Sequence, residues 1–172
     1  FAIMLLSSRN GLRGSDILNL KLTDIYWKEA EIAIIQKRTS VAIACPIDAE
    51  TGNALADYIL NARPHSILSN VFLSVPHGRP FSSSGLCQRL KTYMNSAGIE
   101  RTSIERIGMH TFRRSLGTTL LENGIALEMI AQILGQKNTD ATKQYLSIAE
   151  RELAKCALPM PHYSGLMEVN HG

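Results

Sequence analysis

Apolar residues recur along this chain in two rhythms, a helical one near three to four residues and a strand-like one built on β-branched runs. The opening stretch FAIMLLSSRNGLRGSDILNLKLTDI predicts two short helices joined through Asn10-Gly11, where glycine accepts the positive φ of a turn. Ser15 is placed to cap the second helix, with Ile17, Leu18 and Leu20 as its buried face. The runs IYW, EIAIIQK and VAIACPI follow, broken at Lys28-Glu29-Ala30 and Arg38-Thr39-Ser40. They predict a small antiparallel sheet of two or three strands, ended by Pro46. Asp48 to Ala62 has helical spacing, with Leu55, Ala56, Ile59 and Leu60 apolar and Pro64 closing it. From His65 to Ser82 the pattern is loop with one short VFLS strand. Ser82-Ser83-Ser84 then caps a helix carrying Leu86, Leu90, Tyr93 and Met94, which Gly98 ends. Three further helices are predicted, near 110–123, 127–134 and 139–156, the first two stopped by Gly124 and Gly135. Pro159 and Pro161 break into a tail over 159–172. The fold class is therefore α+β, mainly α, a helical domain with one small antiparallel β-sheet.

Composition narrows this picture only a little. The 172 residues suit one domain over 1–172 with a core of its own, and 45% hydrophobic with 19% charged residues is globular chemistry. The chain starts without Met and within a helical pattern, which reads as a domain cut from a longer protein. A net charge of +3 is mildly basic, so any hold on nucleic acid has to come from where Lys and Arg are placed. Cys45, Cys87 and Cys156 are widely spaced and form no CxxC pair, which argues against a disulfide framework or a zinc site and for a cytoplasmic setting. The apolar run FAIMLL is far shorter than the roughly 20 residues a membrane span needs.

Four fragments carry candidate chemistry. In HTFRRS, His110 and Arg113 lie three apart and share a helix face, where a fork of N–H donors beside an imidazole suits an anion. In GLRGSD, Arg13 follows a glycine turn, with Asp16 placed to hold its guanidinium. In QKRT, Lys37 and Arg38 stand at the tip of the predicted hairpin. In LGQKNTDATKQYL, Tyr145 ends a mostly polar stretch. Each fragment alone also reads as ordinary structure: a polar helix face, a surface ion pair of little weight, charge at a hairpin tip, a packing tyrosine.

Taken together and in order, they resemble the catalytic domain of the tyrosine recombinase family, the phage-integrase-like enzymes, over nearly the whole chain. The family pattern has a GLR arginine with an acidic residue three on, a hairpin lysine, a His-x-x-Arg, a Leu-Gly-His or Leu-Gly-Trp, and a tyrosine. Here these fall on Arg13 and Asp16, on Lys37, on His110 and Arg113, on Gln136 and on Tyr145, with Gln136 23 residues after Arg113 and Tyr145 nine after Gln136. Two positions depart from the pattern. Gln136 can donate to a phosphate oxygen but cannot titrate. Counting from Gln36 puts the hairpin base at Lys37, whereas counting back from Thr39 and Pro46 puts it at Arg38, a poor proton donor.

The resemblance implies a specific chemistry. Tyr145 attacks a DNA phosphate to give a 3′-phosphotyrosyl ester, Arg13 and Arg113 clamp the non-bridging oxygens, His110 assists proton movement, Gln136 adds a hydrogen bond and Lys37 protonates the leaving 5′-oxygen. It implies no cofactor, neither ATP nor metal, and the sequence has no GxxxxGK[ST] loop. The implied partner is double-stranded DNA, bound by a tetramer of full-length subunits that carry a further N-terminal DNA-binding domain; no membrane is involved. Within the tail region, SIAERELAKCALPM reads equally as a segment passed to a neighbouring subunit or as a helix on its own domain. Two rivals keep the DNA but drop the chemistry: a helix-turn-helix regulator built on IALEMIAQILGQKNTDATKQYL, and a degenerate recombinase that binds without cleaving. A type IB topoisomerase shares the chemistry but has a longer GLR-to-tyrosine span.

Overall fold

The computed structural model describes residues 1–75, 77–99 and 108–136. Helix α1 (Ala2–Ser8) leads through the Gly11 turn, φ +63°, into α2 (Gly14–Asn19). Arg13, not Ser15, is the residue before the first turn of α2, and it supplies no side-chain cap; the Ser15 hydroxyl points to Asp16 Oδ1 at 3.5 Å. The expected inward face holds, for Ile17, Leu18 and Leu20 are all buried.

A short 3₁₀ turn at Leu22–Asp24 feeds a three-stranded antiparallel sheet, β1 (Ile25–Tyr26), β2 (Glu31–Ile35) and β3 (Ala42–Pro46), in that spatial order. Ile25 pairs with Ile32, and Ile32 with Cys45. The β2–β3 hairpin closes through Gln36 N–H to Val41 C=O at 2.9 Å and Ser40 N–H to Gln36 C=O at 2.8 Å.

Helix α3 (Ala49–Asp57) is capped by Asp48, whose Oδ1 accepts from Thr51 N–H at 2.7 Å. From Tyr58 to Ala62 the helix widens to a π-helical turn, closed by Arg63 N–H to Tyr58 C=O at 2.7 Å. Leu60, one of the apolar residues of the helical pattern, lies in this turn and is exposed. The stretch after it holds the expected VFLS strand as β4 (Leu73–Ser74), paired with a second strand that the sequence pattern does not show, β5 (Arg79–Pro80). Helices α4 (Ser83–Ser96, capped by Ser82), α5 (Met109–Glu122) and α6 (Leu127–Ile133) match the expected positions. The predicted helix at 139–156, the tail and Cys156 lie outside the described residues. Among the described residues no helix is long and apolar enough to cross a membrane.

The side chains pack into two apolar clusters. The larger gathers Leu6, Leu12, Ile17, Leu20, Ile32, Leu55, Val71 and Phe72 with Leu86 and Leu90 of α4. The smaller sets Ile130 and Leu134 against Leu116, Leu120 and Leu121 of α5. Burial of this kind supplies most of the folding drive, about 25 cal/mol per Å² of apolar surface. Helix α5 bridges the two, because Met109 at its start belongs to the larger cluster. The buried Ser7 hydroxyl fixes that start to α1 by donating to Met109 C=O at 3.1 Å.

Candidate active site

Two of the candidate side chains, Arg13 and Arg113, reach the backbone between these clusters. Arg113, only 7% exposed, points back from α5 and donates from Nη1 to Gly11 C=O at 2.6 Å and from Nη2 to Leu134 C=O. Arg13, half-buried, donates from Nη2 to Gly135 C=O at 3.3 Å and from Nη1 to Gln36 Oε1. The two guanidinium groups thus meet on consecutive carbonyls of the Leu134-Gly135 turn, although one hundred residues of chain separate them. Bringing two fixed cations this close costs electrostatic energy. Carbonyl dipoles aimed at both groups offset part of that cost, and an anion seated between them would offset more.

The turn needs its glycines. Gly135 has φ +58°, and a Cβ there would lie 2.6 Å from the Gln36 amide; at Gly11 a Cβ would lie 2.6 Å from Leu134 Cδ2. Gln136 follows this turn directly, half-buried, its N–H donating to Ala131 C=O at 2.8 Å. His110 stands one turn before Arg113 on α5 and is exposed. Gly108 leaves room for its ring, since a Cβ at that position would be 3.0 Å from His110 Nδ1.

The hairpin partners differ from expectation. Asp16, expected to hold Arg13, is 4% exposed, and its Oδ1 accepts the Lys37 backbone N–H at 3.1 Å. Among the described contacts, the side-chain acceptor on the Arg13 guanidinium is Gln36, beside the Gly135 carbonyl. Lys37 is exposed, as is Arg38, and it lines a cleft with Asp16, Asn19 and Lys21. The described contacts therefore join Arg13, Arg113, Gln36 and the Leu134-Gly135 turn, tie Lys37 to the group through its backbone, and set His110 beside Arg113. Tyr145 lies outside the described residues.

Gln36 is the site residue that motif reading passes over. One signal for it exists in the sequence: Ile32, Ile34 and Gln36 follow each other at strand spacing, so a long amide continues the inward face of β2. A polar group on that face demands partners.

The fold has known counterparts. The chain belongs to the phage integrase family, whose profile matches residues 1–152. A protein of Sinorhizobium fredii (strain NBRC 101917 / NGR234), named integrase/recombinase y4rF, is 32% identical over 162 residues, which are 93% of this chain and 38% of that protein. The fold is that of XerA recombinase, TM-score 0.73 at 24% identity over 92% of this chain and 57% of that one. It is also that of the XerH site-specific recombinase, solved as a post-cleavage complex with a palindromic difH substrate, TM-score 0.74 at 19% identity over 90% of this chain and 44% of that one. The chain thus spans well under two thirds of each of these relatives.

Proposed function

We propose that this domain is the catalytic part of a site-specific DNA recombinase of a mobile element, and that it breaks and rejoins strands through Tyr145. The observation that carries this reading is the meeting of Arg13 and Arg113 at the Leu134-Gly135 turn. A regulator that only reads base edges has no use for two cations gathered from opposite ends of a domain, whereas a phosphodiester in its pentacoordinate transition state does. DNA as partner is supported by the XerH neighbour, solved on its substrate.

In the proposed reaction the Tyr145 hydroxyl gives up its proton, with His110 assisting, and its oxygen forms a bond to the scissile phosphorus. The bond from phosphorus to the 5′-oxygen breaks, and Lys37 protonates that oxygen, whose departure as an alkoxide would be costly. Arg13 and Arg113 hold the non-bridging oxygens, and the Gln136 amide donates to one of them. One phosphate ester replaces another, so the bond energy is kept in the phosphotyrosyl link. A 5′-hydroxyl of a second strand then attacks and releases the tyrosine. Each step conserves the number of ester bonds, which is why neither nucleotide hydrolysis nor a metal is written into it. Exchange between two duplexes requires four such active sites, supplied by a tetramer of full-length subunits in which an N-terminal domain closes the far side of the DNA.

The test works without a defined target site. Full-length protein is incubated, with chelator and without nucleotide, with a pool of nicked duplexes randomised at the centre. After denaturation, DNA attached covalently to protein is recovered and sequenced. The expected result is enrichment of a defined site by the wild type and no attached DNA with Tyr145→Phe. Attachment that persists in Tyr145→Phe would remove the assigned nucleophile, and retention of DNA only under native conditions would favour the regulator.

A further inference from the structure

We infer that Gln36 is a positioning residue for strand cleavage: a neutral acceptor that fixes the Arg13 guanidinium without cancelling its charge. The inference rests on the reading above and extends it to a residue given no role there.

Gln36 is fully buried, and an amide taken out of water without partners costs several kcal/mol. Its partners account for both ends. Oε1 accepts from Arg13 Nη1 and from the Thr39 hydroxyl at 2.7 Å, while Nε2 donates to Leu134 C=O at 3.3 Å. Only one orientation of the amide satisfies this set, because a guanidinium can only donate and a backbone carbonyl can only accept. Gly135 closes over the amide so tightly that a Cβ would lie 2.6 to 2.7 Å from its atoms. One side chain therefore joins three separate parts of the site: Arg13 at the start of α2, the hairpin through Thr39, and the turn on which both arginines meet.

The choice of an amide has a chemical consequence. A glutamate of the same shape would bind Arg13 more strongly, but it would place a negative charge beside the cation meant for phosphate and turn an acceptor toward Leu134 C=O. An apolar side chain of the same length would take one acceptor from the guanidinium and leave its aim less closely fixed. Glutamine alone among the isosteres holds the fork in place and leaves its full charge to the substrate. Since a well-placed donor to a developing oxyanion is worth roughly 10²–10³ in rate, a misaimed Arg13 should show chiefly in the cleavage step.

The experiment uses full-length protein and the nicked duplex recovered by covalent capture, read as single-turnover cleavage rate, DNA affinity and melting temperature. Gln36→Met is expected to cleave about 100-fold more slowly, with DNA affinity within about 3-fold of wild type, since duplex affinity is shared among many phosphate contacts. In an Arg13→Lys background the same substitution is expected to cost less than about 3-fold, because a flexible ammonium gains little from a fixed planar partner. Gln36→Glu keeps both acceptor bonds and serves if Gln36→Met fails to fold; it is expected to cleave more slowly than wild type at neutral pH and to show the same loss of effect in Arg13→Lys. Wild-type cleavage by either folded variant, or an equal loss with and without Arg13, overturns the inference while leaving the recombinase reading intact. Absence of adduct with wild-type protein overturns the recombinase reading itself, and the role of Gln36 in cleavage with it.

Discussion

Lys37 and Arg38 are adjacent, cationic and exposed, yet only one suits the proposed leaving-group step. An ammonium can hand over a proton and take it back, whereas a guanidinium keeps its charge throughout the accessible pH range. The backbone supports Lys37 as well: its N–H is fixed by the buried Asp16 carboxylate, so the start of the hairpin turn is anchored to α2. The assignment makes a prediction at the level of one atom. Lys37→Ala should slow cleavage of an ordinary duplex by about 10²–10⁴, the usual contribution of a general acid. Replacing the scissile 5′-oxygen by sulfur should then restore the rate to near the wild-type value, because a thiol with a pKa near 8.5 leaves without a proton. Rescue by sulfur seen in Arg38→Ala instead would move the role one residue along.

Among the elements, α3 shows most clearly how local chemistry sets a boundary, and its span was legible in the sequence. Asp48 caps the helix through Thr51 N–H, and its other oxygen accepts from Arg9 Nη1 at 2.6 Å, with Glu50 receiving the second guanidinium nitrogen. The Arg9 hydrogen bond first, and the Thr51 amide next, hold the Asp48 carboxyl down from 3.8 to about 2. A depressed carboxylate stabilises the fold above its unfolded value, and that contribution is lost as pH falls through the folded one. Wild-type protein should therefore lose melting temperature between about pH 4 and pH 2 by a step that Asp48→Asn lacks. The step should be small and should shrink with added salt, since the pair is solvent-exposed.

Elements set by such local signals could be read from sequence: the glycine-stopped helices, the β-branched strands, the Ser82 cap. Those set by tertiary context could not. Strand β5 has two residues, Arg79 and Pro80, too few for an alternation to register, so the sequence pattern misses the partner of the expected VFLS strand. The widened turn at Tyr58 answers to neighbours beyond the helix, for the Tyr58 hydroxyl accepts from Leu73 N–H at 3.0 Å and its ring lies 5.1 Å from that of Phe72. The Gln36 amide bonds a carbonyl 98 residues away, so motif spacing found the arginines but not what holds them.

At the scale of the whole molecule the two arginines stop being equivalent. Arg113 lies inside the seam between the apolar clusters, and its bonds to Gly11 and Leu134 carbonyls tie the first turn of the chain to the last described one. Its removal takes the donor from Gly11 C=O within a buried turn, and an orphaned buried carbonyl costs about 1–3 kcal/mol. Arg13 is half-buried, so water can replace more of what it gives. The expectation is a split between stability and chemistry. Arg113→Met should lower the free energy of unfolding by about 2–4 kcal/mol, the orphaned carbonyl plus lost bonds to a charged donor. Arg13→Met should lower it by less than about 1 kcal/mol, within the ordinary range for a partly exposed side chain, while depressing strand cleavage at least as severely. Urea denaturation of both variants beside the wild type reads the first quantity, and covalent capture the second. Equal stability losses would mean that the seam is held by its apolar packing alone, with the Arg113 bonds made for the substrate and not for the fold.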